Sequence, residues 1–132
     1  MKYDEFVGNV QHRCRVGTPG EAVKATRATL EVLAQRLFSE EKNHLASQLP
    51  GEIAYYLEQV KENSKFDLDA FFQKVSEKEG EDLPVAVHHA RSVMSVVKDA
   101  VTPGQWENLI EELPEEFAPL FDSGSEGEMK TG

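Results

Sequence analysis

The chain has 132 residues, a length that suits one compact domain burying roughly two thirds of its unfolded surface. Its formal net charge of −10 repels phosphate backbones and argues against a nucleic-acid partner, and its single cysteine, Cys14, excludes an internal disulfide. No apolar run approaches the roughly 20 residues that span a bilayer, and no secretory leader is visible, so the expectation is a cytoplasmic protein without membrane contact. The charge is unevenly shared: residues 1–65 carry nine Lys/Arg and nine Asp/Glu, residues 66–132 five and fifteen.

Tyr3, Phe6, Val7, Val10 and Cys14 recur at helical spacing, which predicts a first helix over about Asp4 to Cys14. Thr18, Pro19 and Glu21 then write a helix start: a hydroxyl to cap a free amide, a proline at the first helical position and a Thr-x-x-Glu capping box. The flanking glycines could cradle a phosphate, but GTPGE lacks the phosphate-loop pattern and no strand precedes it. The second helix is predicted from Pro19 to Phe38, with Val23, Thr26, Leu30, Leu33 and Leu37 as its buried seam. A third begins near Ser39, where Glu40 and Glu41 suit the positive end of the helix dipole. Pro50 ends it and opens a fourth, carrying Ile53, Tyr56, Leu57 and Val60 to about Glu62, after which Asn63, Ser64 and Lys65 form a link.

The same order is then written again. Glu21 to Ile53 aligns without a gap on Val85 to Phe117, 64 positions later, pairing Ala22 with Ala86, Arg27 with Arg91, Val32 with Val96, Leu45 with Leu109, Pro50 with Pro114 and Glu52 with Glu116. The first helix has its echo in Leu68, Phe71, Phe72 and Val75 at an offset of 65, a one-residue difference of the kind loops tolerate. Thr102, Pro103 and Gln105 form a second capping box, and Trp106, standing where the first copy has Lys42, either fills a core gap or anchors a surface. The final helix is expected to be short and interrupted by Pro119. Residues 122–132 hold too little apolar material to pack and are expected to form a disordered acidic tail. With no alternating β-branched segments, the fold class is all-α: about eight helices as two tandem four-helix repeats, about residues 3–62 and 67–121, in one domain over 1–121.

No residue pattern announces a reaction. Glu41-x-x-His44 matches half of a di-metal helix motif, but its repeat positions hold Gln105 and Asn108, so no metal or cofactor is expected. His88 and His89 are adjacent on a helix and diverge by about 100°, one toward the core near Phe71 or Phe72 and one toward solvent. His12 and Cys14 also diverge, leaving no Cys–His nucleophile. The repeated Arg27 and Arg91 invite ion pairs with the repeated Glu52 and Glu116. Tyr55 and Tyr56 cannot both face the core stripe, so one marks a candidate interface. Arg13, Arg15, Lys24 and His12 gather basic character that could meet the acidic second half in self-association.

The opening YDEFVGNVQHR, the helix ATRATLEVLAQRL, the passage QLPGEIAYYLE and the closing ELPEEFAPLF resemble domain of unknown function 2267, over about residues 2–121. The resemblance implies a small duplicated helical protein whose family has no assigned reaction, cofactor or catalytic residue. The reading is therefore a non-enzymatic helical interaction or accessory protein, conjecturally stress-associated, with a protein partner or self-association. Its candidate binding or interface residues are Arg27, Arg91, Trp106 and Tyr55. The alternative is a small-molecule or anion binder with a pocket between the repeats and an arginine receiving the anion.

Overall fold

The computed structural model describes residues 1–122, and among them the chain is helical without a strand. Eight α-helices follow in order: α1 Tyr3–Cys14, α2 Pro19–Arg36, α3 Ser39–Ala46, α4 Gly51–Glu58, α5 Leu68–Glu79, α6 Leu83–Ala100, α7 Pro103–Glu112 and α8 Ala118–Asp122, with a 3-10 turn at Glu115–Phe117 before the last. The two 18-residue helices, α2 and α6, pack together at the centre. Each is also flanked by both 12-residue helices, α1 and α5. α4 lies against α2, α8 lies against α6, and α3 meets α7.

The helix starts follow from local chemistry. Thr18 Oγ1 accepts the Glu21 amide at 3.2 Å, and Thr102 Oγ1 accepts the Gln105 amide at 3.2 Å, each with proline at the head of the helix. The expected capping boxes are only half made. The Glu21 carboxylate accepts the Thr18 hydroxyl instead of the Thr18 amide, and the Gln105 side chain leaves its own helix altogether. α2 stops at Arg36 rather than Phe38 because Leu37 turns to extended backbone, and α4 stops at Glu58, four residues short of Glu62. Pro119 does not interrupt a helix. It sits in the first turn of α8, where its missing amide costs nothing, and the 3-10 turn precedes it. Asp122, assigned from the sequence to the tail, closes α8; the rest of the tail lies outside the described residues.

The core draws on every helix. Phe6 from α1, Leu30 and Leu33 from α2, Phe71 from α5, Met94 from α6 and Leu120 from α8 are all fully buried, each contributing about 1.5–3 kcal/mol of apolar burial. Phe71 meets Phe72 and Phe117 edge-to-face at 5.9 and 6.0 Å. The segment between α4 and α5 is pinned onto the first half: the Lys42 ammonium donates to the Val60 carbonyl, Asn63 to that of Leu37, the Ser64 amide to Gln35 and Arg36 to Phe66.

Where α3 meets α7 the contacts are reciprocal. The Phe38 amide at the head of α3 donates to Glu112 at 2.8 Å, and the Thr102 amide at the head of α7 donates to Gln48 at 2.9 Å. Thr102 lies 64 positions beyond Phe38, and Glu112 lies 64 beyond Gln48, so each half caps the other with the matching residue. Between these caps the Gln105 amide donates to Glu41, a buried contact that also joins residues 64 apart.

Candidate functional site

The four candidate residues separate into two places. Arg27 on α2 and Tyr55 on α4 come together on an open face. The Arg27 guanidinium lies 5.9 Å from the ring centre of Tyr56, whose ring meets that of Tyr55 edge-on at 6.4 Å. Tyr55 is 57% exposed, whereas Tyr56 is partly buried, and that burial raises its hydroxyl pKa. The expected Arg27–Glu52 pair does not form. Arg27 Nε donates to Glu31 at 2.9 Å, one turn along its own helix, where the i,i+4 geometry needs no help from another element. Glu31 is the hub of this face, since it also accepts Gln59 Nε2 at 2.6 Å from the end of α4 and lies 3.4 Å from Lys78 on α5.

Arg91 and Trp106 are brought together by α8 instead. Arg91 Nε donates to the Pro119 carbonyl at 3.1 Å, so the expected pair with Glu116 is replaced by a bond to the backbone of α8. Trp106 is 7% exposed and meets Phe121 edge-on at 5.4 Å; it fills the core rather than anchoring a surface. On the first half the matching face, bearing Arg27 and Tyr55, remains open to solvent.

A third arrangement escaped the sequence reading. Glu79, the last residue of α5, and His89, two turns into α6, are 2% and 5% exposed, and His89 Nδ1 pairs with Glu79 Oε2. Glu79 Oε1 is buried with no partner. The hydrogen bond to Glu79 raises the pKa of His89 against the opposing effect of burial, with Glu81 and Glu21 adding to the rise. His88 stays exposed and shifts the other way, lowered by desolvation, by His89 and by Arg15. The Cys14 thiol abuts the His89 carbonyl at 3.9 Å, and burial, aided by the Glu79 charge, pushes its pKa up to about 12. At that value it is a protonated core side chain rather than a nucleophile. The signal for this site was the stripe itself: Phe72, Val75 and Glu79 follow at helical spacing, so an acid stands where the pattern calls for an apolar residue.

Elsewhere, Glu41 of the Glu-x-x-His motif is buried against Gln105, and its pKa is raised by that burial. Among the described residues no group of three or more His, Cys, Asp or Glu is placed to hold a metal ion, and no helix is long and apolar enough to cross a membrane. An open groove of about 530 Å³ runs along Gly8, Gln11, His12, Arg15 and Val16; neither Arg27 nor Arg91 lines it.

Comparison with curated proteins gives no match. A family model described as an uncharacterized conserved protein (DUF2267) matches residues 3–120, helices α1 to α8 almost entire, and that description assigns no reaction. The chain belongs to the DUF2267 family.

Proposed function

We propose that the protein is a non-enzymatic helical interaction module of the cytoplasm and that the Arg27–Tyr55 face receives a protein partner. One observation carries this reading: an exposed arginine, held by a glutamate that ties α2, α4 and α5 together, and an exposed tyrosine both contact the ring of Tyr56. Tyrosine and arginine are the residue types that dominate binding energy at interfaces, and a pre-ordered pair loses little side-chain entropy on docking. The reciprocal caps between α3 and α7 further support a chain built from two copies of one helical unit, with the α4 face open and the corresponding α8 face tied down by Arg91. An anion-binding role for Arg27 or Arg91 has less behind it, because each guanidinium already has a partner.

The test is affinity capture from native cytosol, comparing the unmodified chain with the Tyr55→Ser/Arg27→Gln double variant. Partners retained by the first and lost by the second, with helical content and Tm unchanged, are the expected result. Recovery of the same proteins by both forms would remove the basis of the proposal.

A further inference from the structure

The two halves treat one structural position in opposite ways. The last residue of α1 is Cys14 and the last residue of α5 is Glu79, 65 positions apart; on the long helices, Ala25 on α2 stands 64 positions before His89 on α6. Cys14 and Ala25 are both buried, so the first half carries two small, uncharged side chains at these positions. The second half closes it with a carboxylate and an imidazole, equally buried, and leaves one carboxylate oxygen unpartnered. A buried ion pair is seldom a net gain over apolar packing. Here the same molecule shows, in its other half, that the fold does not require one.

We propose that the Glu79–His89 pair is a pH-sensitive latch, which holds the α5–α6 hairpin closed against the end of α1 while His89 is charged and releases it locally when His89 loses its proton. The groups around the pair set the direction. Glu79 on α5, Glu81 in the connecting loop and Glu21 on α2 favour the imidazolium, whereas burial opposes it. From α1 comes the Cys14 thiol, and from α6 the neighbouring His88, which Arg15, the residue after α1, also faces. The Lys24 ammonium of α2 lies beside Gly80, the residue after Glu79. A neutral imidazole leaves the Glu79 carboxylate buried without its counter-charge, and relief comes from letting water in. Because the folded-state pKa of His89 is raised, the latch is fully engaged below the unfolded value of about 6.5 and is lost as pH rises through the folded value.

Opening need not unfold the chain. The α1–α6 seam keeps a second clasp one residue away, where Arg13 donates to Asp99 at 2.6 Å and to Ser95 at 3.0 Å. The protein also carries its own reporter. Cys14 is the chain's one thiol, it is buried, and it sits on the carbonyl of His89.

The experiment measures the rate at which Cys14 reacts with a disulfide reagent from about pH 5.5 to about pH 9, divided by the rate for the urea-unfolded chain at the same pH, so that thiol ionisation cancels. NMR of the imidazole carbons follows His89 in parallel. Protection of Cys14 is expected to be constant at the acid end. It should then fall about tenfold for each unit by which the folded His89 midpoint exceeds the unfolded one, with the fall beginning near the unfolded midpoint and complete once pH has passed the folded one, and with far-UV circular dichroism unchanged. Glu79→Gln should lower the His89 midpoint and abolish the fall. Protection that stays flat through the His89 titration overturns the latch, as does a fall that coincides with loss of helical signal. If Glu79→Gln does not fold, the unmodified chain still decides: a fall in protection confined to the interval between the unfolded and folded His89 midpoints supports the latch, and a fall outside that interval overturns it.

Discussion

Lys42 and Trp106 stand at matching places in the two halves, and both are buried, by opposite means. Lys42 lays its aliphatic stem along the core and brings its ammonium to the Val60 carbonyl, so the first half fastens down the segment leading to α5. Trp106 instead meets the Phe121 ring of α8 edge-on and is buried there. Two positions 64 apart in the sequence are thus fastened differently, one as a polar tether to the segment between α4 and α5 and the other as an aromatic contact with α8.

The largest expected effect sharpens this contrast. Trp106→Ala removes a buried indole and its ring contact, with an expected loss of about 3–5 kcal/mol in urea denaturation. Lys42→Met keeps the stem and removes only the donor to Val60, with an expected loss of about 1 kcal/mol. Equal losses for the two would mean that the aromatic contact holds no more than the polar tether does.

Next in size is the contact between Glu41 and Gln105. Burial already raises the pKa of the Glu41 carboxyl, and the Gln105 amide partly offsets that by donating to it. Gln105→Glu puts two carboxyls in one buried place, with an expected loss of about 1–3 kcal/mol near neutral pH. A shared proton relieves the repulsion. One folded-state pKa of the variant pair then lies above the unfolded value of about 4.3, so the variant is most stable on the acid side and weakens as pH rises through that folded value. Urea midpoints of the variant and the parent measured across this range check it; a loss independent of pH would show that the two side chains do not share a site.

What could be read from the sequence was whatever is decided within a few residues. The Thr18–Pro19 and Thr102–Pro103 helix starts, the prolines at 50 and 114 and the apolar seams are local patterns, and α2, α4 and α7 begin where they say, whereas Pro114 opens a 3-10 turn and α8 starts only at Ala118. The Arg27 partner is local too: it is Glu31, one turn along the same helix, and not the repeated Glu52. Contacts between halves were not legible. Which side chain caps Phe38, and that Glu41 meets its own counterpart Gln105, depend on how α3 crosses α7, which no spacing within either helix encodes. Of the candidate sites, the Arg27–Tyr55 face was found as residues but not as a face. The Glu79–His89 pair shows in the sequence only as an acid inside an apolar stripe, and that it meets His89 depends on how α5 packs on α6.

Two smaller effects ask whether the halves can be made more alike. Thr29 is fully buried on α2, and its hydroxyl has no hydrogen-bond partner, while nearby Thr26 bonds back to the Ala22 carbonyl. The residue 64 positions on from Thr29 is Val93, also fully buried, which has the same shape without the hydroxyl. Thr29→Val removes an unsatisfied polar group at nearly constant volume and should stabilise the protein by about 1 kcal/mol in urea denaturation. A loss would show that the hydroxyl has a partner, such as a bound water.

The last comparison lies at the ends of α1 and α5. Both helices close on a residue in the left-handed region, Arg15 at φ 60° and Gly80 at φ 72°, 65 positions apart. The amides after them bond back in the same way, Val16 to Gln11 and Glu81 to Ser76. Glycine adopts this conformation freely, whereas a side chain at that φ costs about 1–2 kcal/mol, partly offset by the greater freedom that glycine has in the unfolded chain. Arg15→Gly should therefore raise stability by roughly 0.5–1 kcal/mol, and Gly80→Ala should lower it by a similar amount. If Arg15→Gly instead weakened the protein, the guanidinium would have to be holding something in the folded state. The open groove that Arg15 lines with His12 and Gln11 is then where a compensating contact would have to lie.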